Sequence, residues 1–182
     1  LSSFKEFAYS PKEDYLNLAK DSLKVLEDEY GNKYQDFLIL LNNCIHFLSE
    51  TDESSLKVCI IHNDFNPRNI AISHDDQVIV YDFELARKDV AQRDIIEFLS
   101  FVLSSSNLSL NFNEISNEYL RLFSKKSNIE SDQWDNHFKF ALAKYIATRV
   151  NLYLLGNKIT RYSFIPTVIK NCLTMGKELG LC

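Results

Sequence analysis

Glycine is scarce. Gly31, Gly156, Gly176 and Gly180 are the only 4 in 182 residues, and none is clustered. The chain therefore has no Gly-rich loop of the kind whose backbone amides cover phosphates. Cysteine is also sparse: Cys44, Cys59, Cys172 and Cys182 show no CxxC spacing and no histidines at zinc-finger intervals. Cys44 and Cys59 stand in apolar runs and read as small buried hydrophobes, which fits a reducing, cytoplasmic setting. No apolar run approaches the ~20 residues needed to span a bilayer, so no membrane partner is expected. Positive charge is in deficit, with Lys plus Arg at 20 against Asp plus Glu at 25, a net charge of −5. A nucleic-acid binder should instead present a basic face. The acidic balance is compatible with a cationic small-molecule substrate. The chain opens Leu1-Ser2-Ser3, without Met or an apolar leader, and is expected to be a piece of something longer.

What remains reads as one domain over residues 1–182, with 46% apolar and 25% charged residues. Ser10-Pro11-Lys12-Glu13 predicts a capped helix start, with Tyr15, Leu18, Ala19, Leu23 and Leu26 following at helical spacing and Gly31 as the stop. A second helix is predicted over about 33–49, with Phe37, Leu40, Leu41, Cys44, Ile45 and Leu48 inward and His46 as a core histidine. Val58-Cys59-Ile60-Ile61 then reads as a short buried strand. Residues 69–73 and 78–81 predict a hairpin whose solvated tip is His74-Asp75-Asp76-Gln77. From Asp94 onward, helices are predicted near 94–104, 113–126, 131–155 and 165–179. The stripe Trp134, Phe138, Ala141, Tyr145 reads as helix-packing core. The fold class is α+β and mainly α-helical, with a small β-hairpin carrying polar loops.

The most informative stretch is His62-Asn63-Asp64-Phe65-Asn66-Pro67-Arg68-Asn69, followed by Asp82-Phe83-Glu84. It sets a carboxylate, an amide and a second carboxylate on loops bordering the hairpin. Phosphoryl transfer needs a hydroxyl in line with the γ-phosphate and metal ions to offset charge. Asp64 can accept the hydroxyl proton. Asn69 and Asp82 can ligate magnesium, a hard cation that prefers oxygen.

His62-x-Asp64-x-x-x-x-Asn69, with Asp82-Phe83-Glu84 thirteen residues further on, resembles the motif of the aminoglycoside phosphotransferase and choline kinase family. The resemblance implies the C-terminal lobe of a protein-kinase-like fold, whose catalytic and metal loops border the hairpin. It implies an ATP- and Mg2+-dependent enzyme that phosphorylates an alcohol group of an aminoglycoside, choline or other amino alcohol, or similar metabolite. Asp64 would be the catalytic base, and Asn69, Asp82 and, through water, Glu84 the metal ligands. His62 would shape the loop, and Asp94 would brace it from below. Asn66 stands where relatives carry Lys or His, and Arg68 offers a nearby positive charge for the nucleotide phosphates. Glu130, Asp132 and Asp135 fall where the family's substrate loop would lie, and Trp134 or Tyr145 could face a quaternary ammonium. The family's N-terminal nucleotide-binding lobe, with its phosphate-covering loop and its Lys, has no counterpart in this sequence. The chain alone is therefore expected to be inactive without that lobe in cis. The alternative is a catalytically inactive kinase-like interaction module within a larger protein.

Overall fold

The computed structural model describes residues 9–104, 111–124 and 134–182. The chain opens with two helices, α1 (Lys12–Tyr30) and α2 (Gln35–Glu50). Four short strands come next: β1 (Val58–Ile61), β2 (Ile70–Ile72), β3 (Val78–Val80) and β4 (Arg87–Val90). Helices α3 (Gln92–Val102), α4 (Phe112–Ser124), α5 (Trp134–Tyr145), α6 (Asn151–Thr160) and α7 (Ile165–Glu178) complete the order. The result is mainly helical with small antiparallel sheets. Among the described residues, no helix is long and apolar enough to cross a membrane.

The apolar periodicity of the helices builds the core. The six inward residues predicted on α2 are all buried, as are Phe138, Ala141 and Tyr145 on α5. They meet Ala19 and Leu26 of α1, Ile96 and Leu99 of α3, and Val168, Cys172 and Met175 of α7. Each large side chain so buried contributes roughly 1.5–3 kcal/mol. Gly176 allows the close approach of α7 to α2, since a Cβ there would stand 3.0 Å from Leu40 Cδ1.

Several expectations are corrected. Pro11, not Ser10, is the N-cap of α1, and no side chain caps it. Leu18 is exposed, because the buried stripe of α1 runs through Leu16 and Ala19 instead. His46 is a surface residue 3.6 Å from Glu50, one turn away, because it shares the solvent face of α2 with Asn42 and Asn43. The β1 run is a strand, but only Ile61 is buried, and Cys59 is exposed. Its partner is β4, antiparallel with Val58 opposite Val90, a strand that Arg87-Lys88-Asp89 gave no reason to expect. The predicted hairpin forms, with Ile70 opposite Val80, and its tip is exposed.

The single helix expected near 131–155 is interrupted. Ile146–Val150 form a π-type turn between α5 and α6. The Asn151 N–H reaches back five residues to the Ile146 carbonyl. Two side chains of this segment donate back to main-chain carbonyls four residues earlier. Thr148 Oγ1 donates to the Lys144 carbonyl at 2.7 Å, and Asn151 Nδ2 to the Ala147 carbonyl at 3.3 Å.

Candidate active site

β1 ends at Ile61, and the chain turns at once through His62 and Asn63. Asn63 is left-handed (φ 62), a conformation that Asn tolerates better than most residues. Asp94, in the first turn of α3, underpins this turn. Its Oδ2 accepts from the His62 N–H at 2.8 Å and its Oδ1 from the Asn63 N–H at 2.9 Å. Burial raises the Asp94 pKa, and those two hydrogen bonds oppose the rise. The His62 ring is buried and used at both nitrogens. Nδ1 accepts from the Asp64 N–H at 3.3 Å, so the proton belongs on Nε2, which donates to the Tyr81 carbonyl at 2.8 Å.

Beyond Asp64, Asn66 caps the 3-10 turn Pro67–Asn69. Its Oδ1 accepts from the Arg68 N–H at 2.9 Å, and its own amide donates to the Asp64 carbonyl. The Asn69 side chain, also buried, points back to Asp64. Its Nδ2 donates to the Asp64 main-chain oxygen at 2.9 Å and to Asp64 Oδ2 at 2.8 Å. That leaves Asp64 Oδ1 and Asn69 Oδ1 without hydrogen-bond partners among the described residues.

The hairpin returns Asp82 to this corner. The Tyr81 N–H donates to the Asn69 carbonyl at 3.1 Å, and Tyr81 Oη donates to the Arg68 carbonyl. Asp82 comes immediately after in a left-handed conformation (φ 67), opening the 3-10 turn Phe83–Leu85. Asp82 and Glu84 are both exposed, and no described residue pairs with either carboxylate.

A cleft of about 250 Å³ opens beside the loop. Asp64, Asn66, Arg68 and Asn69 form its polar side, and Phe101, Tyr153, Tyr162 and Phe164 its other side. These rings form one aromatic cluster: Phe164 lies 5.1 Å from Tyr162, 5.2 Å from Tyr153 and 5.5 Å from Phe101, centroid to centroid.

The model of the phosphotransferase enzyme family matches residues 8–115, more than half of the chain. The chain belongs to this family. No curated protein and no solved structure matches it. The family carries a kinase-like fold, and its matched span contains the whole run from His62 to Asp94. Tyr153, Tyr162 and Phe164 lie beyond that span.

Other residues singled out in this family member stand elsewhere. Asp135 is exposed in a separate groove of about 350 Å³ with Asn113, Lys139 and Glu178, away from Asp64. Glu130 and Asp132 lie outside the described residues, as does the Trp134 side chain. Tyr145 is fully buried, its ring under Arg93 at 4.3 Å and its hydroxyl 2.7 Å from Ser100 Oγ. A larger groove of about 420 Å³, bordered by Glu27, Gln35 and Asn42, holds none of the loop residues.

Among the described residues no three His, Cys, Asp or Glu side chains converge on one point, as a cage made wholly by protein would require. Magnesium needs less, since it keeps waters and takes one or two carboxylates plus substrate phosphates. An amide oxygen on Asn69 and a carboxylate on Asp82, both uncommitted, fit that donor set.

Proposed function

We propose that this chain is the catalytic and acceptor-binding lobe of a phosphotransferase that moves the γ-phosphoryl group of ATP to a hydroxyl of a small molecule. The observation that carries the reading is the Asp64 carboxylate, fixed by Asn69 at 2.8 Å on the wall of an aromatic-lined cleft. Asn69 holds Oδ2, so Oδ1 faces an incoming hydroxyl. The acceptor oxygen forms a bond to the γ-phosphorus as the bond to the β–γ bridging oxygen breaks, and the hydroxyl proton passes to Asp64. Asn69 Oδ1, Asp82 and, through water, Glu84 would hold magnesium, which offsets the phosphate charge. Arg68, exposed at the same edge, reaches toward phosphate oxygens. His62 and Asp94 keep the loop in shape.

The cleft has room for a small metabolite. Its four rings suit a hydroxyl compound with an apolar or ammonium face, such as an amino alcohol. The nucleotide needs a second wall. Val58, Ile60, Ile72, Val78, Ile79 and Phe83 are all at least 46% exposed along the strands and the metal loop. Exposed apolar side chains in that number are suited to contact with a docked N-terminal lobe in cis.

The test is transfer of labelled phosphate from ATP by the full-length protein to a panel of amines and sugars. Asp64→Asn should lower the rate by about 10²–10⁴-fold with little change in melting temperature. Full activity in that variant refutes the role of Asp64. If calorimetry finds no magnesium-dependent binding of an ATP analogue to the full-length protein, it is an inactive kinase-like interaction module instead.

A further inference from the structure

We propose that Arg149, on the π-type turn, is a positioning residue that sets the aim of Asp64 through the backbone of Asn63; this rests on the phosphotransferase reading above. Asn63 is the residue from which Asp64 hangs, and its polar groups are held from three directions. Its N–H donates to Asp94 Oδ1 at 2.9 Å, and its side-chain amide donates to the Leu85 carbonyl at 3.1 Å, in the metal loop. Its carbonyl accepts from Arg149 Nη2. That carbonyl belongs to the peptide unit joining Asn63 to Asp64. Rotation of this unit swings the Asp64 Cα–Cβ bond, and the left-handed Asn63 has few neighbouring conformations in which to settle.

The anchor behind Arg149 is buried. Glu97 is completely buried; its Oε2 takes the buried Arg93 at 3.2 Å, and Arg93 stacks on Tyr145 at 4.3 Å. Among the described residues nothing donates a hydrogen bond to Glu97 Oε1, and Arg149 Nε lies 3.8 Å from it. Arg149 is thus drawn between a buried carboxylate and the loop carbonyl, and it links the helical core to the turn that carries Asp64. Arg149 stands on the π-type turn four residues before Tyr153, so the two share a helix face, and Tyr153 lines the cleft. Arg149 lies outside the span matched by the family model.

Two variants, Arg149→Lys and Arg149→Met, test this in the full-length protein. Loss of the link should lower kcat by about 10²-fold in Arg149→Met, with KM for ATP and acceptor unchanged, because the loop is misaimed while binding groups stay. Arg149→Lys should recover much of the rate, since an ammonium can still donate to the Asn63 carbonyl. Hydrogen exchange supplies a readout independent of turnover. Amides of residues 62–66, 68 and 69 should exchange faster in Arg149→Met, and those of α1 and α2 should not. Unchanged exchange in the loop overturns the proposal, as does a rise in KM at constant kcat, which would make Arg149 a substrate contact. If the wild-type protein transfers no phosphate, the phosphotransferase reading fails, and the exchange data alone decide whether Arg149 holds the loop.

Discussion

Asp94 shows how one side chain can shape a turn that it does not belong to. Its two oxygens receive two successive backbone N–H groups, so the substitution Asp94→Asn replaces an acceptor with a donor facing a donor. The cost should be about 1–3 kcal/mol in urea unfolding, with activity falling in parallel. The pH dependence has a definite sign. Burial raises the folded-state pKa above 3.8, so the native protein binds the proton more tightly than the unfolded chain. That contribution is complete below 3.8 and is lost as pH rises through the raised value. The deficit of Asp94→Asn should therefore be largest in acid and narrow as pH rises; a deficit that widens contradicts the burial argument. At this scale the loop is legible in sequence, because His62, Asp64, Asn66 and Asn69, which hydrogen-bond to one another, stand within one short segment. The apolar neighbours Cys44 and Ile45 make His46 look like a core residue in the sequence. Asn42, Asn43 and Glu50 mark the face it belongs to.

Between elements, buried charge joins β4 to α5. Lys144 Nζ lies 2.9 Å from Asp89 Oδ2, both groups are 3% exposed, and the ammonium rests over the Tyr9 ring at 4.1 Å. Burial lowers the Lys144 pKa, and the Asp89 charge opposes it. Lys144→Met leaves Asp89 buried and alone and should cost about 3–5 kcal/mol by thermal or urea unfolding. Adding Asp89→Asn removes the stranded charge while keeping the acceptor for the Val90 N–H, and should restore part of the loss. A double variant no better than the single one would mean that packing, not charge, sets the cost. Nothing in Arg87-Lys88-Asp89-Val90 marks a strand, since its pairing is imposed by β1 from across the chain. The helices were readable because each carries its own apolar stripe. The π-type turn was not, because one added residue scarcely disturbs a stripe that is apolar on both sides of it.

Taken whole, the molecule gathers its polar loop from one short stretch but its aromatic wall from three distant places: Phe101 on α3, Tyr153 on α6, and Tyr162 and Phe164 just before α7. Only long-range packing brings these together, so the loop could be read from sequence and the wall could not. The strands, by contrast, leave apolar side chains in water. Ile60 is 58% exposed, Val78 66% and Ile72 72%. Water against such a face is unfavourable by roughly 25 cal/mol per Å². The 182-residue chain should therefore associate as its concentration rises, detected by sedimentation, and should bind an apolar dye. Ile60→Lys with Val78→Lys should suppress both, and the melting temperature should shift by no more than a few degrees, because neither side chain belongs to the core. A chain that stays monomeric at all concentrations and binds no dye would remove the reason to expect another lobe on this face. A double variant that unfolds would mean that the two strands depend on these side chains for their own pairing.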